Sequence, residues 1–252
     1  MKVLALCSMN GGVGRTTIAA GLARVASERL RTFAVDADPQ NALGLHLGMP
    51  VGEGRGLVDT GFSAGSLLEL LRSHPPEAPF IPFGRAPRAA LAELDLALRA
   101  DPRWLARRLE ALCPSGTDLV VLDTPAGRGA WTEQALLLAD AALFVLGADA
   151  ASYATLPDAE GLAEDLALQR GPRLRGVGFV VNRLDPRRAL SRDLRAAFGQ
   201  ALGERLLPTA LYEDEAVREA LAARQSAPLY APHGQFTAGL RELFAWFTGA
   251  TA

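Results

Sequence analysis

The stretch Val3–Thr17, VLALCSMNGGVGRTT, runs from an unbroken apolar segment through a glycine cluster into a helical pattern that continues to Leu30. Strand, glycine loop and helix N-terminus in that order make a cradle for phosphate. Glycines let backbone N–H groups turn inward, and the helix dipole favours an anion. The Thr16 hydroxyl, at the mouth of the helix, is placed to ligate a magnesium ion shared with the phosphates. A glycine-rich turn with no ligand is the alternative, and both the context and the hydroxyl favour the phosphate reading. The strict motif GxxxxGK[ST] is not matched, because Met9 stands at its first glycine and Arg15 at its lysine.

Outward from this loop, short apolar runs alternate with helical stretches. The runs Val3–Cys7, Thr32–Asp36, Leu119–Asp123, Ala141–Leu146, Val177–Asn182 and Leu206–Thr209 are continuously apolar, as strands buried on both faces of a parallel sheet are. Helical patterns cover Thr17–Leu30, Trp131–Ala139, Pro157–Gln169, Arg187–Leu202 and Asp214–Arg224. This alternation predicts one α/β domain over residues 1–252, with a mostly parallel twisted sheet and helices on both faces. Five prolines in Ser73–Pro87 predict an irregular connection around a short strand, Phe80–Phe83.

Composition sets further bounds. The 252 residues are 49% hydrophobic and 21% charged, the balance of a chain with a substantial core. No apolar run reaches the ~18 residues of a membrane span. The opening apolar segment is too short for a signal peptide and ends in Asn10-Gly11-Gly12. A cytoplasmic protein is expected. Two cysteines, Cys7 and Cys113, provide neither a disulfide framework nor a CxxC metal site. The net charge of −2 argues against a general polyanion binder. Of the 26 basic residues, Lys2 is the one lysine.

Gly11-Gly12-Val13-Gly14 with Thr16-Thr17 resembles the deviant Walker A motif of the MinD/ParA family of P-loop ATPases, whose common form is KGGVGKTT. Three further segments extend the resemblance. Val35-Asp36-Ala37-Asp38-Pro39-Gln40 looks like the second acidic motif of that family, which implies Asp36 near the magnesium shell and Asp38 positioning the attacking water. Leu119–Gly127, LVVLDTPAG, is similar to a Walker B strand and its switch, which implies that Asp123 holds magnesium through water. Val180-Val181-Asn182-Arg183 carries the asparagine that meets the adenine edge, and Pro208 matches the adenine-side loop more loosely. The resemblance thus implies ATP or ADP with Mg2+. Asn10, Gly11, Gly12, Val13, Gly14, Arg15, Thr16, Thr17, Asn182 and Pro208 would hold the nucleotide, Thr16, Asp36 and Asp123 the metal, and Asp38 would be catalytic.

Two positions depart from the pattern, and both remove or alter charge on the phosphates. The family lysine that reaches across a nucleotide-sandwiched homodimer is here Asn10, which is short and uncharged. Cationic fingers of this kind contribute roughly 10³–10⁵ in rate to phosphoryl transfer. Arg15 keeps a charge but replaces a compact ammonium by a planar fork. Nucleotide binding and dimerisation with slow or absent hydrolysis follow as the expectation. Arg128 could replace the missing cation, although an exposed loop arginine is the plainer reading.

Within the family, iron–sulfur and nitrogenase-type branches need paired cysteines. The membrane-surface branch carries a basic amphipathic tail, whereas the last helix here has one arginine, Arg241, beside a stripe of Phe236, Leu240, Leu243, Phe244 and Phe247. That stripe reads as the last core helix or, failing that, as a seam for a small partner protein. Arg187, Arg188, Arg192 and Arg195 make one cationic helix face, with DNA binding the minority reading. The missing loop lysine, the segment Phe80-Ile81-Pro82-Phe83-Gly84, and Leu206-Leu207-Pro208 with Asp214-Glu215-Ala216 and Leu221–Gln225 are similar to the cellulose-biosynthesis branch. That branch implies a regulator or assembly factor of bacterial cellulose synthesis, peripheral to the inner membrane through other secretion subunits. The competing expectation is a cycling ATPase that positions DNA or another cargo.

Overall fold

The apolar runs pair side by side, so each strand hides the backbone polar groups of the next. In the computed structural model, which describes residues 1–50, 52, 54–58, 70–112 and 116–251, the strands are β1 (Lys2–Cys7), β2 (Thr32–Asp36), β3 (Phe80–Ile81), β4 (Leu119–Asp123), β5 (Ala141–Gly147), β6 (Gly176–Leu184) and β7 (Leu206–Tyr212). They form one sheet in the order β3-β2-β4-β1-β5-β6-β7, and every pairing in it is parallel. Such a sheet must be covered on both faces. The helices that cover it are α1 (Arg15–Ser27), α2 (Leu43–His46), α3 (Arg88–Ala100), α4 (Trp104–Leu112), α5 (Ala130–Leu138), α6 (Ala150–Ala154), α7 (Leu156–Arg170), α8 (Ala189–Leu202), α9 (Glu215–Ala222), α10 (Ala227–Tyr230) and α11 (Gln235–Ala250).

Strand alternation divides the core in two. Val3, Ala5 and Cys7 face the layer built by α3, α4, α5, α7 and α8. Leu4 and Leu6 face α1, α2, α9, α10 and α11. All strand residues of β2, β4 and β5 are buried. This is why their sequences read as unbroken apolar runs with no alternation. Cys7 is among them, and burial pushes its thiol up to about 12, so it serves as a small hydrophobe. Cys113 lies outside the described residues.

The strand ends differ from the sequence expectations where pairing continues past the apolar run. β7 extends through Ala210, which pairs with Val181, and Tyr212, which pairs with Leu184. Pro208 lies inside this strand, as the run Leu206–Thr209 predicts. The proline-rich stretch is irregular as expected and contributes the two residues of β3, with Arg72 bridging Phe80 from the other direction. Helix α11 settles the question of the apolar stripe. Phe236, Leu240, Leu243, Phe244 and Phe247 are buried against α1 and β7 of the same chain. That face is consequently closed to a small partner protein. No described helix is long and apolar enough to cross a membrane.

Two substitutions check this packing. Phe247→Ala should cost about 3–5 kcal/mol of stability in urea unfolding, the penalty for emptying a core aromatic site; a change within error would mean that α11 is peripheral. His46, on α2, is held down to about 4 by burial. A depressed pKa of this kind contributes stability that is present above the ordinary value of 6.5 and lost as pH falls through 4. His46→Leu should thus flatten the acid limb between those pH values, where the parent loses about 3 kcal/mol.

Candidate functional site

Ligands of open α/β sheets bind at the carboxyl ends of the strands, where successive connections leave in opposite directions. Here that place is the end of β1, with β4 on one side and β5 on the other. The chain leaves β1 through Ser8–Gly14 and enters α1. Gly14 is the residue before the helix and has φ +89°, while Gly12 has φ +76°. A Cβ on Gly14 would also collide with the side-chain nitrogen of Asn182, at the end of β6. Gly14 is thus required twice, for its backbone and for its neighbour. Gly11 and Gly12 are exposed, and an added Cβ there would meet open space.

The loop is braced from β6. Asn182 donates from Nδ2 to the Val13 carbonyl at 2.7 Å, and Arg183 donates from Nη1 to the Gly12 carbonyl at 2.8 Å. Arg183 adopts φ +57° to make that reach, a conformation that non-glycine residues seldom take. Beside this brace a small cleft opens, lined by Gly14, Thr17, Asn182, Tyr212 and Asp214 among others. Pro208 is absent from its lining; its carbonyl accepts from Arg195 Nη2 at 2.6 Å. Tyr212–Asp214, at the carboxyl end of β7, border that cleft.

On the other side, the strand ends gather acid. Asp36 and Asp123 pair across β2 and β4. Both are fully buried, and Asp38 is 8% exposed. Asp36 accepts the backbone N–H of Asp38 at 2.9 Å and that of Leu43 at 3.0 Å, so both its oxygens hold the β2–α2 turn. Burial and the nearby Asp123 charge raise its pKa well above the ordinary carboxylate value. Asp38 accepts the Gln40 N–H through Oδ1.

Arg15 links these carboxylates. Its guanidinium is buried, and each of its nitrogens meets a different acceptor: Nε donates to Asp123 Oδ1 at 2.9 Å, Nη1 to Ser8 Oγ at 2.9 Å, and Nη2 to Asp38 Oδ2 at 2.6 Å. The fork therefore points to the acidic strand ends. Burial raises the Asp123 pKa, opposed by the Arg15 charge and by the hydroxyl of Thr16 beside it. Among the described residues, Asp123 Oδ2 is buried without a hydrogen-bond partner. A hydroxyl next to an unpaired buried carboxylate oxygen is a donor set suited to a hard cation such as Mg2+. Thr16 and Asp123 are the residues that fit it. Asp36 is saturated by backbone N–H groups.

Asn10 turns inward, and its Nδ2 donates to Thr155 Oγ1 at 2.9 Å. Arg128 pairs with Asp165 of α7, so neither supplies a free cation at the loop. Gly127, with φ +79°, donates its N–H to the Ser8 carbonyl at 2.8 Å and so joins the end of the β4 loop to the start of the phosphate-type loop. The cationic helix face is also engaged. Arg187 and Arg188 pair with Asp185, Arg192 donates to the Pro186 carbonyl, and Arg195 to that of Pro208. Ser8 and Arg183 were missed in the sequence because a serine in a loop and an arginine near a strand end carry no pattern of their own.

Loop, acidic strand ends and strand order together define a MinD/ParA-type P-loop ATPase fold. Residues 1–247 match the family model described as cellulose biosynthesis protein BcsQ, and the chain belongs to that family. It is 26% identical to cellulose biosynthesis protein BcsQ of Escherichia coli K12, with 91% of this chain and 87% of that one covered. It is also similar to the chromosome-partitioning ATPase Soj of Thermus thermophilus, at 29% identity over 92% of this chain and 89% of that one. Among solved structures, the septum site-determining protein MinD of Pyrococcus horikoshii, complexed with Mg-ADP, superposes with a TM-score of 0.75 at 21% identity, covering 100% of this chain and 98% of that one.

Gly14→Ala tests the loop. The left-handed backbone alone should cost about 1–2 kcal/mol, and the collision with Asn182 should add to it. Combining it with Asn182→Ala should recover the collision part only, read as the urea midpoint. Full recovery would show that the backbone is not strained.

Proposed function

We propose that this chain is an ATP-binding, dimerising regulator or assembly factor of bacterial cellulose synthesis and secretion that hydrolyses its nucleotide slowly or not at all. Membership of the BcsQ family supports the cellulose context. The observation that carries the low turnover is the placement of two side chains: Arg15 is committed to Asp123, Ser8 and Asp38, and Asn10 is committed to Thr155. In this reading the backbone N–H groups of the loop and the N-terminus of α1 bind the phosphates. The cleft between Asn182 and Tyr212–Asp214 takes the base. Mg2+, held by Thr16 and Asp123, would neutralise the phosphate charge. Asp38 would orient a water if hydrolysis occurs.

Phosphoryl transfer is accelerated mainly by cations placed on developing charge. A site with an uncharged amide at Asn10 and an arginine turned toward its own carboxylates can bind without turning over. Nucleotide then acts as a clamp. A ligand that binds only between two copies pulls the chain toward the dimer, and partners that recognise the dimer respond to nucleotide. The open face above Gly11 and Gly12 leaves room for a second copy to approach the loop. Localisation at the inner face of the membrane, through other secretion subunits, belongs to the same reading.

The test is to restore lysine at both positions. Asn10→Lys with Arg15→Lys should raise phosphate release by about 10³-fold or more over the parent, the contribution of such cations. Parent turnover equal to that of the double variant would contradict the clamp and favour a cycling ATPase that moves DNA or another cargo.

A further inference from the structure

Three carboxylates, Asp36, Asp38 and Asp123, crowd the carboxyl ends of β2 and β4 in a space closed to solvent. Asp36 is satisfied by backbone N–H groups. Asp38 and Asp123 share one guanidinium, that of Arg15, and Asp123 Oδ2 has no partner. Buried carboxylates are tolerated when a cation neutralises them. The fork of Arg15 supplies that cation from within the chain. Its three nitrogens span three acceptors, which the single nitrogen of a lysine ammonium is less suited to do. A divalent ion drawn to Asp123 would meet a guanidinium already bonded to that carboxylate, and two cations sharing one oxygen pair in a dry site repel each other.

We infer that Arg15 is an internal counter-ion that competes with Mg2+ for Asp123, so that the nucleotide-free protein takes up no metal and Mg2+ enters together with a nucleotide whose phosphates draw the guanidinium away. The last step rests on the nucleotide-binding reading above. The competition itself needs no nucleotide, which makes the two separable. Arg15 is then the residue that sets when the site accepts metal, and the charge at the loop is stored among the acids until phosphate arrives.

Full-length parent and Arg15→Gln are titrated with Mn2+ without nucleotide, with bound metal counted by electron paramagnetic resonance and Tm followed in parallel with Mg2+. Without metal, Arg15→Gln should melt below the parent, because two buried carboxylates lose their counter-ion. At ~100 times its Kd for Mg2+ it should regain about 5–10 °C, while the parent Tm stays unchanged. Parent protein that binds Mn2+ as tightly as Arg15→Gln, or an Arg15→Gln whose Tm ignores metal, overturns the inference. If Arg15→Gln does not fold, Arg15→Lys replaces it. A single ammonium holds fewer acceptors, so its Mn2+ affinity should exceed that of the parent by about tenfold, and equal affinity overturns the inference. ATP added last separates the readings: ATP retained by no variant sinks nucleotide binding, while the metal-alone comparison still decides the role of Arg15.

Discussion

The contact of one guanidinium with two buried carboxylates governs the functional end of this molecule. Arg15 leaves the first turn of α1 and closes on Asp123 at the end of β4 and Asp38 beyond the end of β2, so helix, Walker B strand and acidic turn are joined through one side chain. A pair of this kind is weak evidence for stability, because desolvation offsets much of the attraction. Removing one partner is costly, since the other charge is left buried. The arrangement is therefore best understood as specifying a state. It sets one positive charge among the acidic strand ends and turns the loop's own cation toward them.

The rest of the site follows from that constraint. With Arg15 turned inward, the groups facing the loop are backbone amides, Thr16 and the brace from Asn182 and Arg183. Such groups suit an anion, and the Arg183 guanidinium among them is bonded to the Gly12 carbonyl. Asn10, tied to Thr155, is uncharged. In the reading proposed above, binding and turnover are separable on this scaffold. A protein that binds nucleotide and seldom consumes it suits a structural signal, dimer or not dimer, better than a motor.

Much of this was legible in the sequence because buried parallel strands are unbroken apolar runs and glycine loops are local. Thr32–Asp36 and Leu119–Asp123 are strands over those same residues, and Asp36 and Asp123 lie at their ends, where parallel pairing sets them side by side. Helix α11 was readable as core from its stripe of Phe236, Leu240 and Phe247. Less was legible where long-range contact decides. Nothing local to Arg15 says whether its fork turns to phosphate or to Asp38, 23 positions away. The end of β7 was not legible either, because its pairing with β6 carries the strand on to Tyr212. Arg183 needed a left-handed backbone to reach Gly12, which no periodicity announces.

The most direct test of the clamp is one sample of the purified parent with Mg-ATP, on which retained nucleotide, mass in solution and released phosphate are measured together. The expected result is ATP retained in a species of twice the chain mass, with phosphate release at background. Steady release of phosphate from a monomer, or no retained nucleotide at all, would contradict it.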